Sequence, residues 1–124
     1  KNTVRVGDPL SNISHAANAD QVCRLYYMLY MGKIISPERS NQMLEILKDP
    51  LIEHKFVKAL HQFAPEALLF RKSGTWKHWH ADSVMVRGKR WRNYILVAFV
   101  EHKHGEEILQ KIVPTVETII RPSP

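Results

Sequence analysis

Near Ala67 the spacing of apolar residues in this chain changes from every third or fourth position to every second, and that switch fixes the class of fold it can adopt. Upstream of it, Val22, Leu25, Tyr26 and Leu29 recur on one helical face. They predict a helix over residues 15–31, capped by Ser14 and closed by Gly32, which accepts the left-handed backbone needed just past a helix end. Ser36-Pro37 repeats the start signal, a cap followed by proline at the first helical position. The second helix is expected to reach Lys48, with Met43, Leu44 and Leu47 as its apolar stripe and Asp49-Pro50 as its stop. A short third helix is expected over residues 54–63, with Phe56, Val57 and Leu60 inward and Ala64-Pro65 ending it.

Beyond the switch, residues 67–71 form a short apolar run that reads as a buried strand. Residues 80–86 alternate, with Ala81, Ser83 and Met85 on one face and Asp82, Val84 and Val86 on the other. Residues 92–100 are rich in aromatic and β-branched side chains, and Gly88 and Lys89 between the two segments predict an antiparallel hairpin. From Gly105 onward Ile108, Leu109, Ile112, Val116, Ile119 and Ile120 return to helical spacing. Pro114 falls inside that pattern and is expected to cost a hydrogen bond and bend the helix, and Pro122 and Pro124 mark a frayed tail. Three helices, three strands and a helix make an α+β fold, a three-stranded antiparallel sheet covered by a C-terminal helix. Such a sheet keeps two free edges and is small for a complete fold, so pairing of two copies along an exposed edge is one expected partnership.

A chain of 124 residues supports one domain with one modest core. Its 18 Lys and Arg against 12 Asp and Glu give a net charge of +6, which raises the question of a nucleic-acid partner. The basic residues are spread along the chain, however, and the one dense cluster, Arg87, Lys89, Arg90 and Arg92 beside Trp91, falls on the expected hairpin turn, where charge keeps an edge soluble. With no recognised nucleic-acid motif, no nucleic-acid partner is expected. No apolar run is long enough to cross a bilayer, so no membrane span is expected. Cys23 is the only cysteine, which excludes an intrachain disulfide, and between apolar neighbours on a helix it reads as a small core side chain. Asn12-Ile13-Ser14 matches a glycosylation sequon, a triplet common by chance. The chain starts at Lys1 without a methionine or a signal-peptide pattern, so a cut or processing site is expected there.

The stretch Leu69-Phe70-Arg71-Lys72-Ser73-Gly74-Thr75-Trp76 carries the chemical information. A strand that ends in Lys72-Ser73-Gly74, with a second strand after a short link, resembles the Lys-[Ser/Thr]-Gly motif of class A β-lactamases and penicillin-binding-type serine hydrolases. The triplet is weak alone, and its context strengthens it. Ser14-His15-Ala16-Ala17 stands where that family has a Thr-Thr-x-Pro-type helix start, and residues 25–29 followed by Gly32-Lys33-Ile34-Ile35-Ser36 resemble its next helix and turn. The last two strands and the final helix match its closing elements, so the resemblance runs from about Asp8 to Arg121.

The resemblance implies a role for each residue of the motif. Lys72 would set a positive charge beside an attacking serine and a substrate carboxylate, and Ser73 would donate a hydrogen bond to that carboxylate. Gly74, having no side chain, would let substrate lie against the strand, and the Thr75 backbone N–H would form half of an oxyanion hole. Trp76, Trp79 and His80 would line the site. The other readings of these positions are a solvated strand-end lysine for Lys72 and a turn residue for Gly74.

The chain also departs from the family. No serine is followed three residues later by lysine, and no Ser-Asp-Asn occurs, so no catalytic residue is expected within this chain. Residues 1–124 therefore read as a single partial domain, the C-terminal portion of a β-lactamase-like serine hydrolase, inactive without an N-terminal half that bears the nucleophile. The arginine that many class A enzymes hold on the next strand would fall near Ala81. The implied substrate is a β-lactam, a peptidoglycan-like peptide or another amide or ester, with no cofactor, and the implied location is periplasmic or secreted. A non-catalytic binding or assembly module of the same fold is the alternative, and a basic nucleic-acid-binding domain built on Arg87, Lys89, Arg90, Trp91 and Arg92 is a weaker one. His78 and His80 would share one side of a strand, with Asp82 as a third group, but this spacing is far from a zinc pattern and no metal is expected. His102-Lys103-His104 reads as a solvated loop.

Overall fold

A computed structural model describes residues 16–123, arranged in chain order as α1 (Ala19–Tyr30), α2 (Pro37–Leu47), α3 (Lys55–Phe63), β1 (Leu68–Trp76), β2 (Trp79–Arg87), β3 (Asn93–Glu101) and α4 (Gly105–Ile120). The three strands form one antiparallel sheet in the order β1-β2-β3, as the alternation after Ala67 requires. Ser14, expected as the first cap, and the Asn12 sequon lie outside the described residues. The first helix starts later than expected because Asn18 caps it: its Oδ1 accepts the Gln21 N–H at 2.8 Å, and the Gln21 side chain returns a bond to the Asn18 N–H at 2.9 Å. Gly32 closes α1 as expected, with φ +68°, while the Gly32 and Lys33 amides turn back to the carbonyls of Leu29 and Met28. Ser36 Oγ caps α2 through the Arg39 N–H at 3.1 Å, with Pro37 in the first turn.

The sheet is covered on both faces, which the sequence reading had not foreseen. On one face Leu69, Val84 and Val86 pack with Phe56, Val57, Ala59 and Leu60 of α3 and with Leu109 and Val113 of α4. On the other, Phe70 and Met85 pack with Tyr26 of α1, flanked by Val22, Leu44, Leu47 and Ile95. Each of these sets holds alternate strand positions, so the faces expected for β2 are those observed. Helix α4 runs unbroken through Pro114 to Ile120. Among the described residues no helix is long and apolar enough to cross a membrane.

Two connections differ from expectation. β1 does not end at Lys72-Ser73-Gly74; it carries the motif in its interior and runs on to Trp76. It turns into β2 through Lys77 and His78 alone, with Lys77 at φ +53° and Trp76 paired with Trp79. Gly74 is thus a strand residue and not a turn residue, and His78 sits in the turn rather than beside His80 on a strand. The β2–β3 link is longer than Gly88-Lys89: it takes residues 88–92, closed by the Gly88 N–H on the Arg92 carbonyl at 2.6 Å. Two of the four basic residues around it are engaged within the molecule. The Arg87 guanidinium lies 4.6 Å from the Tyr30 ring centre, and Arg92 pairs with the buried Glu117 at 3.1 Å.

Candidate active site

β1 is an edge strand, and its outer side determines what the motif can do. Pairing with β2 runs without a bulge from Leu68↔Arg87 to Trp76↔Trp79. On the outer side, the Leu69 carbonyl accepts the Asp49 N–H at 3.0 Å, beside a single bridge between Lys48 and Phe70. Backbone groups alternate sides along an antiparallel ladder, so with Leu69 facing outward, Arg71, Ser73 and Thr75 also turn their N–H and C=O groups outward. Past the bridge, no strand among the described residues pairs with them. A groove of about 570 Å³ follows this edge between the end of α2 and the α2–α3 link (Leu47, Asp49, Leu51) on one side and Arg71, Lys72 and Ser73 on the other.

The side chains of the motif divide between the two faces. Lys72 stands on the face of Phe70 and Met85, is exposed, and folds its ammonium over the edge onto the outward carbonyl of Ser73. Gly74 and Trp76 share that face with Ala81, Trp79 and Phe99 of the neighbouring strands. A Cβ built on Gly74 would meet nothing within 4 Å, so its bare backbone is open to whatever lies on the sheet. Trp76, Trp79 and Phe99 are 70%, 55% and 47% exposed, and with Gly74 and Ala81 they line an apolar hollow of about 550 Å³. Helices α1 and α2 cover the other end of this face and leave the hollow open.

Ser73, Thr75 and His80 project from the opposite face, the one under α3 and α4. Thr75 Oγ1 is held there by Lys55 at 2.9 Å. The His80 ring lies against Gly105, and its buried Nδ1 has no hydrogen-bond partner among the described residues. The structure therefore brings together the Lys72 ammonium, the outward backbone of Ser73 and Thr75, and the apolar floor of Trp76 and Trp79; His80 also lines the hollow, while its side chain turns to the opposite face. Among the described residues no group of three or more His, Cys, Asp or Glu is placed to hold a metal ion. Asp82 commits its carboxylate to other partners.

Asp82 belongs to a buried network that sequence reasoning missed. Its carboxylate accepts from Arg71 Nε at 2.7 Å and Nη2 at 3.1 Å, from the Phe56 N–H at 3.0 Å and from the Ser83 N–H at 3.1 Å. Four hydrogen bonds, two of them from one charged fork, compensate for removing this carboxylate from water. Arg71 also bonds the Ile52 carbonyl at 3.1 Å and His54 Nδ1 at 2.7 Å. Guanidinium can only donate, so His54 Nδ1 accepts and carries no proton. Burial, then the nearby Arg71 and Lys55 charges, hold the His54 pKa below its ordinary value. Next to it Lys55 is fully buried, its Nζ bonded to the Gly74 carbonyl at 2.8 Å, to Thr75 Oγ1 and to the Ala81 carbonyl at 3.1 Å. Burial pushes its pKa down, and Asp82 opposes that shift.

A signal for this network did exist in the sequence. Alternation sets Asp82 on the face of Val84 and Val86, and a carboxylate there requires a cation from a neighbouring element. On the other face the Tyr26 hydroxyl sits 3.2 Å from Ser83 Oγ, which donates to the Lys72 carbonyl at 2.8 Å, so α1 and β2 both brace the motif strand.

Comparison with curated proteins and with solved structures returned no match. A model of the Beta-lactamase enzyme family does match, over residues 3–119. That span takes in all three strands and nearly all of the helical cover, so the edge strand bearing Lys72-Ser73-Gly74 is matched together with its surroundings, and the chain belongs to the Beta-lactamase enzyme family.

Proposed function

We propose that this chain supplies the Lys72-Ser73-Gly74-Thr75 wall of an acyl-transfer site, the attacking serine coming from a segment outside residues 1–124. The carrying observation is the open outer edge of β1, where Lys72 and Ser73 border a groove and the Thr75 backbone faces outward two residues further on. In the reaction, the serine Oγ would bond to the carbonyl carbon of an amide or ester, its proton passing to a base on its own segment. The oxyanion would be met by the Thr75 N–H, and the C–N or C–O bond would break with a proton going to the leaving group. Water would then hydrolyse the acyl-enzyme and restore the serine. Lys72 would attract the substrate carboxylate, Ser73 would donate a hydrogen bond to it, and Trp76 and Trp79 would carry an apolar part of a small-molecule or peptidoglycan-like substrate. The family supports a periplasmic or secreted location for such an enzyme.

Labelling with a fluorescent penicillin tests this. The polypeptide carrying this sequence together with a Ser-x-x-Lys segment is expected to form a covalent adduct, and Lys72→Ala to slow labelling by about 10²-fold, the scale for losing one electrostatic contact to the transition state. Residues 1–124 alone should not label. An unchanged labelling rate in Lys72→Ala would remove the motif from the site.

The free edges of the sheet support a second reading, a non-catalytic module whose copies pair strand to strand. Sedimentation showing a dimer that dissociates when a proline replaces Ser73 would favour it.

A further inference from the structure

The Lys55 ammonium is fully buried and has no place in the chemistry above. Its residue has φ +52°, a left-handed backbone that a lysine keeps only where its surroundings hold it. Here three acceptors hold it, one for each ammonium proton: the Gly74 carbonyl, Thr75 Oγ1 and the Ala81 carbonyl. The Gly74 C=O and the Thr75 N–H belong to one trans peptide unit and point in opposite directions. Lys55 grips the inner end of that unit, and the N–H at its other end opens on the outer edge of β1.

We propose that Lys55 is a positioning residue whose ammonium fixes the Gly74–Thr75 peptide and polarises it, so that the Thr75 N–H meets the substrate carbonyl oxygen as an aimed and strengthened donor. The proposal rests on the acyl-transfer reading. Hydrogen bonds in series polarise one another, and a charge on the carbonyl end of a peptide draws electron density away from its N–H. A donor fixed before substrate arrives needs no reorganisation during the reaction. The charged groups around Lys55 are Asp82 of β2, Arg71 and Lys72 of β1 and Glu106 of α4, with neutral His54 next to it in sequence. Asp82 keeps a cation tolerable at this depth, which ties the proposed donor to the buried network.

The test uses the isotopically labelled polypeptide that carries this sequence. As pH is raised, the Gly74 carbonyl carbon and the Thr75 nitrogen are expected to move with the Lys55 Nζ resonance, all three sharing one midpoint. Resonances of this peptide that ignore the Lys55 titration overturn the proposal. In Lys55→Met the Thr75 amide proton should move upfield and kcat for acylation fall on the order of tenfold with KM little changed, a fraction of the effect of deleting an oxyanion donor. Lys55→Arg should recover most of the rate. An unmoved Thr75 amide proton in a folded Lys55→Met protein overturns the proposal as well. Should Lys55→Met fail to fold, the titration of the unsubstituted protein decides alone. A polypeptide that never acylates but shows the shared midpoint would retire the acyl-transfer reading and keep Lys55 as the group that sets this peptide.

Discussion

Arg71 Nε and Asp82 Oδ1 meet at 2.7 Å across neighbouring strands, with both side chains almost wholly removed from water. Arg71 directly precedes the motif lysine, and Asp82 accepts the Phe56 amide in the first turn of α3. Removing either partner strands a buried charge. Asp82→Ala and Arg71→Ala are each expected to cost about 3–5 kcal/mol, the range for breaking a buried ion pair from one side. The cost would be read as a fall in the urea midpoint at constant m-value. The double variant Arg71→Met with Asp82→Leu should cost clearly less than the sum of the single changes, and strict additivity would show that the pair is not coupled.

His54 accepts from Arg71, so its protonation works against the fold. The folded protein takes up this proton at a lower pH than the unfolded chain, whose histidine titrates near 6.5. In that interval the unfolded state binds more protons, so stability is whole above pH 6.5 and declines as pH falls toward the folded value. Urea midpoints at pH 7.5 and 5.5 should differ more in the wild type than in His54→Gln, whose amide oxygen still accepts from Arg71. An equal pH response in both would assign the acid sensitivity to other groups.

Gly105 begins α4 directly over the His80 ring. A Cβ at position 105 would come within 2.7 Å of His80 Cγ and 3.1 Å of its Cβ, so the root of the side chain as well as the ring would have to shift. Gly105→Ala is therefore expected to cost about 1–3 kcal/mol by overpacking. Adding His80→Ala should return part of that loss, a rescue that thermal melts of the single and double variants would detect.

Gly74 presents the opposite case, since a Cβ there meets only open space. Gly74→Ala should change stability by no more than about 0.5 kcal/mol, as for other surface changes that disturb no packing. If substrate lies on this strand, the same substitution should slow penicillin labelling markedly. Equal labelling by Gly74→Ala and wild type would place the substrate elsewhere.

Much of the architecture was legible because it is written in local periodicity. The caps at Ser36 and Gly32, the alternation of residues 80–86 and the helical stripe after Gly105 each predicted their element. The turn at Lys77-His78 was missed because it contains none of the residues that usually mark a two-residue hairpin, with a lysine taking the left-handed position instead. Nothing in the local sequence singles out Lys55, since its acceptors lie 19 to 26 residues downstream and become neighbours only when β1 and β2 pair. The motif residues were all named from the sequence, but their division between two faces of one strand depended on where that strand ended.

Helix α3 has no cap of its own: His54 offers no side-chain bond, and the Phe56 amide finds its acceptor 26 residues further along the chain. Its first turn therefore cannot be completed until the β1–β2 hairpin has closed. Helix start, hairpin and motif strand should open and reclose as one cooperative unit, with the Phe56 amide exchanging its proton in step with those of the strands. A ligand that steadies the outer edge of β1 would then leave its mark on the far side of the sheet, as slower exchange in a helix it never touches.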